Sequence, residues 1–262
     1  MSTVAATDRH YTARIIERRD LSEDLWLIRV DPAGPFQVKA GQYATLGVDY
    51  ADKRIERAYS IVSSPCEEGL EFFIELVPKG ELTPHLYKLQ LRDTMLCRKV
   101  AKGRFTLDVR SGRTQHLLLA TVTGIAPLAT CAPMYKDWQS GNNPMPGNHK
   151  LYCLQGGSRS WEFGYREELD RIAAEVPWFK FVTTISRQWE DASWSGETGR
   201  VDDLVREYAD LWGLRRETTT AYLCGHPSMC ENGQGILKRA GWQKGSVFEE
   251  VYFIPGKEAA AE

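Results

Sequence analysis

No stretch of this chain stays apolar long enough to cross a bilayer; its longest runs, such as Leu117–Ala120, fall far short of the roughly 20 residues a membrane helix needs. The opening segment, MSTVAATDRHYTARIIERRD, carries acidic groups and no apolar stretch. Neither a secretory signal nor a transit peptide is readable there, and the expectation is a soluble, cytoplasmic protein with no membrane role. A dominant charge is also missing. Lys plus Arg number 33 against 35 Asp plus Glu, a formal net charge of -2, which argues against a chain built to neutralise nucleic acid. The six cysteines (Cys66, Cys97, Cys131, Cys153, Cys224 and Cys230) contain no CxxC pair and no regular spacing. That excludes the usual zinc and ferredoxin-type cluster patterns, so reduced thiols and no metal are expected, and any iron–sulfur centre would belong to a partner.

What the chain does have is length and apolar content, 262 residues of which 42% are hydrophobic, sufficient for two modest domains without staples. Residues 11–110 show short β-branched and aromatic runs broken by Gly, Pro and Asp: LWLIRV (25–30), QYATLGV (42–48), AYSIV (58–62), LEFFIELV (70–77) and RFTLDV (104–109). This rhythm predicts a small antiparallel barrel. One helix is expected inside it from Thr83 to about Leu89, with Thr83 as cap and Pro84 at its first position. After residue 113 the pattern turns to continuous apolar runs, HLLLAT (116–121), LYCLQGG (151–157), FKFVTTIS (179–186) and AYLCGH (221–226), suited to strands buried on both faces. Helical segments near 126–139, 165–175, 200–210 and 227–241 alternate with them, and SGNNPMPGN (140–148) reads as a turn-forming loop. The expected architecture is an antiparallel β-barrel domain over residues 1–112, followed by an open parallel α/β sheet over 113–262.

Charge divides unevenly between these halves. Residues 1–113 hold 18 basic and 16 acidic side chains, and the remainder 15 and 19. Arg92–Arg113 carries seven basic side chains opposed only by Asp93 and Asp108, which suits either a solvated face or a docking patch for an acidic partner.

Ligands of open α/β sheets bind beyond the carboxyl ends of the strands. The turn Thr121–Pro127 runs from a buried strand through Gly124 into a Pro-started helix, which presents backbone N–H groups to a phosphate or ring oxygen. Arg159, Arg187 and Arg200 fall on the same expected edge. Such a guanidinium cluster suits a phosphomonoester, while each arginine alone could equally pair with Glu162, Glu190 or Glu197. In the barrel half, strand alternation sends Arg57 and Tyr59 to one face and Ala58 and Ser60 to the other. A phosphate-binding cation beside a ring that can stack on a flavin is one reading of this tetrapeptide, and a surface ion pair with packing is the other.

Together these residues resemble the FAD-containing ferredoxin–NADP reductases, most closely the bacterial subclass. The resemblance runs in order through Ala40-Gly41-Gln42-Tyr43, Arg57-Ala58-Tyr59-Ser60 and on to Pro65, Leu70-Glu71-Phe72-Phe73, Gly80-Glu81-Leu82-Thr83, the turn at 121–127, Ser186-Arg187, Gly199-Arg200, Leu223-Cys224-Gly225-His226-Pro227, and Glu250-Val251-Tyr252-Phe253. It implies an FAD-binding barrel followed by an NADP-binding domain. By position Arg57 meets the FAD pyrophosphate, Tyr59 stacks on the isoalloxazine beside Ala58, and Ser60 lies near N5. Ile74, Glu75, Leu76, Val77, Gly80, Leu82, Thr83 and Thr123 supply further FAD contacts. Tyr252 covers the second flavin face, and Phe253 packs on the adenine. Ser158, Arg159, Ser186, Arg187 and Arg200 match the positions holding the 2′-phosphate adenosine of NADP, while Cys224, Gly225 and Pro227 face the nicotinamide nucleotide. Ser60, Cys224, Glu250 and Tyr252 form the implied catalytic set. One departure stands out: where the family reads Gly-Thr-Gly, this chain has Val122-Thr123-Gly124, placing a β-branched side chain near the pyrophosphate where positive φ is disfavoured. The chain also continues past Phe253 with IPGKEAAAE.

The implied activity is hydride transfer between NADPH and FAD and single-electron transfer between FAD and an acidic ferredoxin or flavodoxin, by a monomer. Two rivals remain open. One is an NADH-dependent flavin reductase or oxygenase-component reductase, and the other is a redox-silent flavoprotein subunit.

Overall fold

The computed structural model describes residues 9–130 and 149–251. Six strands form the first sheet: β1 (His10–Asp20), β2 (Leu25–Asp31), β3 (Tyr43–Tyr50), β4 (Lys53–Ser60), β5 (Leu70–Glu75) and β6 (Thr94–Arg98). Their order is β4-β3-β6-β1-β2-β5 and every pairing is antiparallel. The sheet curls around Trp26, Ile28, Phe72, Ile74, Leu46 and Leu86. Just past the ends of the ladder, Val62 N–H donates to the Glu71 carbonyl at 2.8 Å, drawing the two edges together. The expected barrel is therefore present, as an open one.

Three sequence expectations change in this half. The segment 104–109 is not a strand; it leaves the sheet after a single bridge between Tyr43 and Lys102. It answers instead to Tyr222 of the second half: Phe105 packs edge-on against the ring, and Asp108 N–H donates to its hydroxyl at 2.6 Å. β1 formed although its charge hid it, because it lies between β6 and β2 and buries only Ala13 and Ile15 completely. The short helix α1 (Thr83–Lys88) does form, but Leu82 is its N-cap. Thr83 Oγ1 is committed instead to Val77, accepting from its N–H at 3.0 Å and donating to its carbonyl at 3.1 Å.

The second sheet holds β7 (Gln115–Thr121), β8 (Lys150–Gly157), β9 (Phe179–Ile185), β10 (Glu197–Thr198), β11 (Thr219–Gly225) and β12 (Val247–Val251). Its order is β10-β9-β8-β7-β11-β12, parallel throughout. Among the described residues its helices are α2 (Ala126–Ala129), α3 (Arg166–Glu175), α4 (Val201–Leu211) and α5 (Pro227–Arg239). The sequence signals explain their placement: Glu167 and Glu168 open α3, Asp202 and Asp203 open α4, and Pro227 opens α5, with Lys238 and Arg239 in its last turn. The rest of the helix expected to 139, and the loop 140–148, lie outside the described residues.

The two halves share one core. Leu25, Leu27, Val62, Phe73 and Phe105 pack with Leu118, Ala120, Ala126, Tyr165 and Tyr222. Beside this junction His116 and His149 are buried and linked, Nε2 to Nδ1, at 2.8 Å, with their rings stacked. Burial pushes His116 down to about 3. Its folded value lies below the ordinary 6.5, so the stability it contributes is complete above pH 6.5 and is lost as pH falls toward 3. Thermal unfolding of the wild type should lose about 1.4 kcal/mol per pH unit to this group across that window. A His116→Phe variant should show a shallower slope; equal slopes would show that His116 is not the group responsible.

Candidate functional site

β4 ends at Ser60, and β12 carries Glu250 from the opposite end of the chain. The Ser60 hydroxyl donates to Glu250 Oε1 at 2.8 Å across 190 residues. Cys224 and Glu250 are register partners on β11 and β12, and Cys224 also pairs with Ala120 on β7. The structure thus gathers three of the four implied catalytic residues, while Tyr252 and Phe253 lie outside the described residues. Burial holds the Glu250 carboxyl above the usual carboxylate range, and the Ser60 hydrogen bond offsets part of that.

Two close approaches shape the neighbouring turn. A Cβ on Gly124 would lie 2.2 Å from the Cys224 carbonyl oxygen, and one on Gly225 would lie 2.2 Å from Thr121 Oγ1. Thr121 Oγ1 in turn accepts from His226 N–H at 2.8 Å. Between them Val122–Ile125 makes one 3-10 turn, with Thr123 buried and Val122 at φ +42°. The positive φ anticipated at this position is therefore imposed on a β-branched side chain, at a cost of about 1–3 kcal/mol. Gln155 steadies the turn by donating from Nε2 to the Val122 carbonyl at 3.2 Å, which leaves its own buried Oε1 without a partner.

Along β4, Arg57 donates to Glu81 Oε2 at 2.5 Å, which ties the strand to the Gly80–Thr83 segment. Tyr59 is half-buried and Ala58 exposed; burial raises the Tyr59 phenol. Ile74 and Glu75 pair with Trp26 and Leu25 in the sheet. The N–H groups of Leu76, Val77 and Gly80 are already donated to Asp24, Thr83 and Val77 respectively. This segment therefore offers a ligand its remaining groups rather than those three donors. Leu82 is buried in the barrel core.

At the far edge of the second sheet, two loops are laced together. Arg187 N–H donates to the Ser158 carbonyl at 3.0 Å, Ser186 N–H to the Gly157 carbonyl at 2.9 Å, and Ser160 N–H to Asp191 Oδ2 at 3.1 Å. Arg159 Nε donates to Glu190 Oε2 at 2.6 Å, and Arg187 Nη1 stands 3.6 Å from Glu190 Oε1. Arg159 also reaches Glu162 at 3.3 Å. Arg200 is set apart, 3.3 Å from Asp202 and within 3.4 Å of Ser228 Oγ, next to Pro227. Its carboxylate partner is thus Asp202; Glu197 takes the Tyr208 hydroxyl at 2.7 Å instead.

The family described as Oxidoreductase FAD-binding domain matches residues 12–107, and the Oxidoreductase NAD-binding domain matches residues 118–234. A flavodoxin/ferredoxin–NADP reductase of Buchnera aphidicola (subsp. Schizaphis graminum) is 33% identical over 216 residues, covering 78% of this chain and 80% of that protein. The chain belongs to the ferredoxin–NADP reductase family.

A second member of the ferredoxin–NADP reductase family, from Escherichia coli K12, is 29% identical over 229 residues, 85% of this chain and 88% of the relative. The fold matches a Neisseria gonorrhoeae ferredoxin NADP+ reductase with bound FAD and NADP at a TM-score of 0.81 and 23% identity, covering 94% of this chain and 99% of that one. Membership makes this protein an electron-transfer oxidoreductase of FAD and a nicotinamide nucleotide. Its own geometry fits those groups: glycines that leave no room for a side chain against β11, an unpartnered buried acceptor at Gln155, and a cation, a ring and a hydroxyl in succession along β4. Gln155 escaped the sequence reading because a polar residue inside an apolar run carries no sign of which backbone it will meet. Among the described residues no helix is long and apolar enough to cross a membrane.

Proposed function

We propose that this reductase moves hydride between NADPH and FAD and single electrons between FAD and ferredoxin or flavodoxin. The observation that carries this reading is the Ser60–Glu250 hydrogen bond beside Cys224, since it joins strand ends of the two sheets at one point. Bound FAD supplies the two-electron to one-electron conversion; the chain supplies position and exclusion of water. Arg57 takes the FAD pyrophosphate in exchange for Glu81, with Gly80, Thr83 and Thr123 framing the phosphates and the 74–77 segment framing the ring. Tyr59 stacks on the isoalloxazine, Ser60 orients it, and Cys224, Gly225 and Glu250 seat the nicotinamide. Ser158, Arg159, Ser186, Arg187 and Arg200 hold the adenosine 2′-phosphate, and the division into FAD and NADP domains falls between residues 112 and 113.

For the acceptor, the basic stretch 92–113 is partly committed. Arg98 donates to Glu56 at 2.6 and 2.9 Å, and Arg113 lies 3.8 Å from Asp108. Lys99, Lys102, Arg104 and Arg110 remain exposed, a surface suited to an acidic protein.

Anaerobic stopped-flow mixing of the FAD-loaded protein with NADPH or NADH tests the proposal. Flavin bleaching is expected with NADPH, slowed about tenfold or more in Arg187→Ala, which loses a charge-assisted contact to phosphate. A second mix with ferredoxin should reoxidise the flavin, less steeply with salt in Lys99→Glu/Lys102→Glu. Absence of bleaching with either nucleotide would leave a redox-silent flavoprotein.

A further inference from the structure

Glu190 sits where the two arginines of the proposed phosphate site converge. Its Oε2 accepts from Arg159 Nε at 2.6 Å and its Oε1 lies 3.6 Å from Arg187 Nη1. Glu162 takes a third contact on Arg159, 3.3 Å away, and with its other oxygen accepts from Ser158 N–H at 2.7 Å. The local charges of Arg159 and Arg187 are therefore matched by Glu190 and Glu162. The frame around them is fixed: Asp191, next in sequence to Glu190, joins the 158–162 loop through Ser160 N–H and holds the Ser193 hydroxyl at 2.8 Å. Arg200 adds no uncompensated charge here, being engaged with Asp202 and Ser228.

A phosphate on the adenosine ribose needs that guanidinium pair, and a carboxylate between the two guanidinium groups opposes it by like charge. A bare ribose hydroxyl meets the opposite situation, because an ionised carboxylate accepts its proton in a strong hydrogen bond, the device by which dinucleotide folds hold an unphosphorylated ribose. We infer that Glu190 sets the choice between NADPH and NADH, moderating the 2′-phosphate preference that Arg159 and Arg187 create and allowing the protein to use both nucleotides. The inference rests on the phosphate-site reading proposed above and adds to it a residue that works against the arginines.

The test uses the oxidised, FAD-loaded protein as wild type, Glu190→Gln and Arg187→Ala, each checked for an unchanged melting temperature. Calorimetric titration with adenosine 2′,5′-bisphosphate and with 5′-AMP reads the site without catalysis. Glu190→Gln should tighten the bisphosphate about tenfold, the size expected from removing one like charge at a partly exposed site, while 5′-AMP, whose ribose hydroxyl loses an ionised acceptor, should weaken about threefold or more. The ratio of kcat/KM for NADPH over NADH should rise by a similar factor. If Arg187→Ala weakens the bisphosphate and Glu190→Gln leaves it unchanged, the phosphate site stands and the role of Glu190 is refuted. If neither substitution alters the bisphosphate-to-AMP ratio, the phosphate lies elsewhere and both readings fall.

Discussion

Gly124→Ala should leave a yellow, folded protein that NADPH reduces about 100-fold more slowly than the wild type. The added Cβ would lie 2.2 Å from the Cys224 carbonyl oxygen, 2.7 Å from its carbonyl carbon and 2.8 Å from Gly225 Cα, all of them backbone atoms at the end of β11. No flexible side chain is there to yield, so the 3-10 turn or the strand end must move. Overpacking of this kind costs about 1–3 kcal/mol, and a displacement near 1 Å at a reacting centre costs about 100-fold in rate. FAD retention is expected because Arg57, Tyr59 and Ser60, the cation, ring and hydroxyl proposed to hold it, lie on β4 and not on the turn, leaving Thr123 as the proposed FAD contact next to the added Cβ. Gly245→Ala serves as the control, since nothing lies within 4 Å of its Cβ. Reduction of Gly124→Ala at the wild-type rate would show that Cys224 and Gly225, whose backbone the added Cβ strikes, do not seat the nicotinamide.

The second large effect concerns Ser60 and Glu250. Ser60→Ala removes the one hydroxyl that donates to Glu250 among the described residues and leaves a half-buried carboxylate without that donor, a loss of about 1–3 kcal/mol. Because Ser60 is also proposed to contact the flavin, hydride transfer should fall about 100-fold, the cost of removing one oriented donor. Glu250→Gln behaves differently. A carboxyl whose folded value is raised above its ordinary 4.5 contributes stability that is present below that value and lost as pH rises through the folded value. At pH 8 the Gln variant should therefore melt above the wild type, and the difference should close as pH falls toward 4. The Gln oxygen still accepts from Ser60, so turnover should fall less than in Ser60→Ala. A lower melting temperature for Glu250→Gln at pH 8 would contradict the burial argument. In the double variant the rate losses should fall short of additive, since both side chains act through one hydrogen bond.

Val122 shows how a sequence expectation and a structural fact meet. The demand for positive φ at position 122 came with the resemblance, which puts glycine there, and the observed +42° agrees. What holds the strained peptide in place, the Gln155 amide on its carbonyl, was not legible, because Gln155 lies on the neighbouring strand, 33 residues away. The arginines divide in the same way. Their position on one edge follows from strand ends, which are local. Their partners are of two kinds: Arg187–Glu190 and Arg200–Asp202 are local pairs, whereas Arg159 meets Glu190 across 31 residues only because the 158–162 and 187–194 loops fold over each other.

The sequence by itself determined the two sheets and their order of appearance. Apolar periodicity, glycine turns and helix-start residues act within a few positions of one another, so they survive without knowledge of the fold. It misjudged 104–109, where alternation normally means a strand, because Phe105 and Asp108 answer to Tyr222 across the domain junction. Charge likewise masked β1. Tertiary structure alone decided the site: Ser60 and Glu250 are 190 residues apart, and nothing local to either dictates their 2.8 Å hydrogen bond. That contact exists because Leu25, Leu27, Val62, Phe73 and Phe105 bury themselves against Leu118, Ala120, Ala126 and Tyr222, and this shared apolar core fixes one sheet against the other.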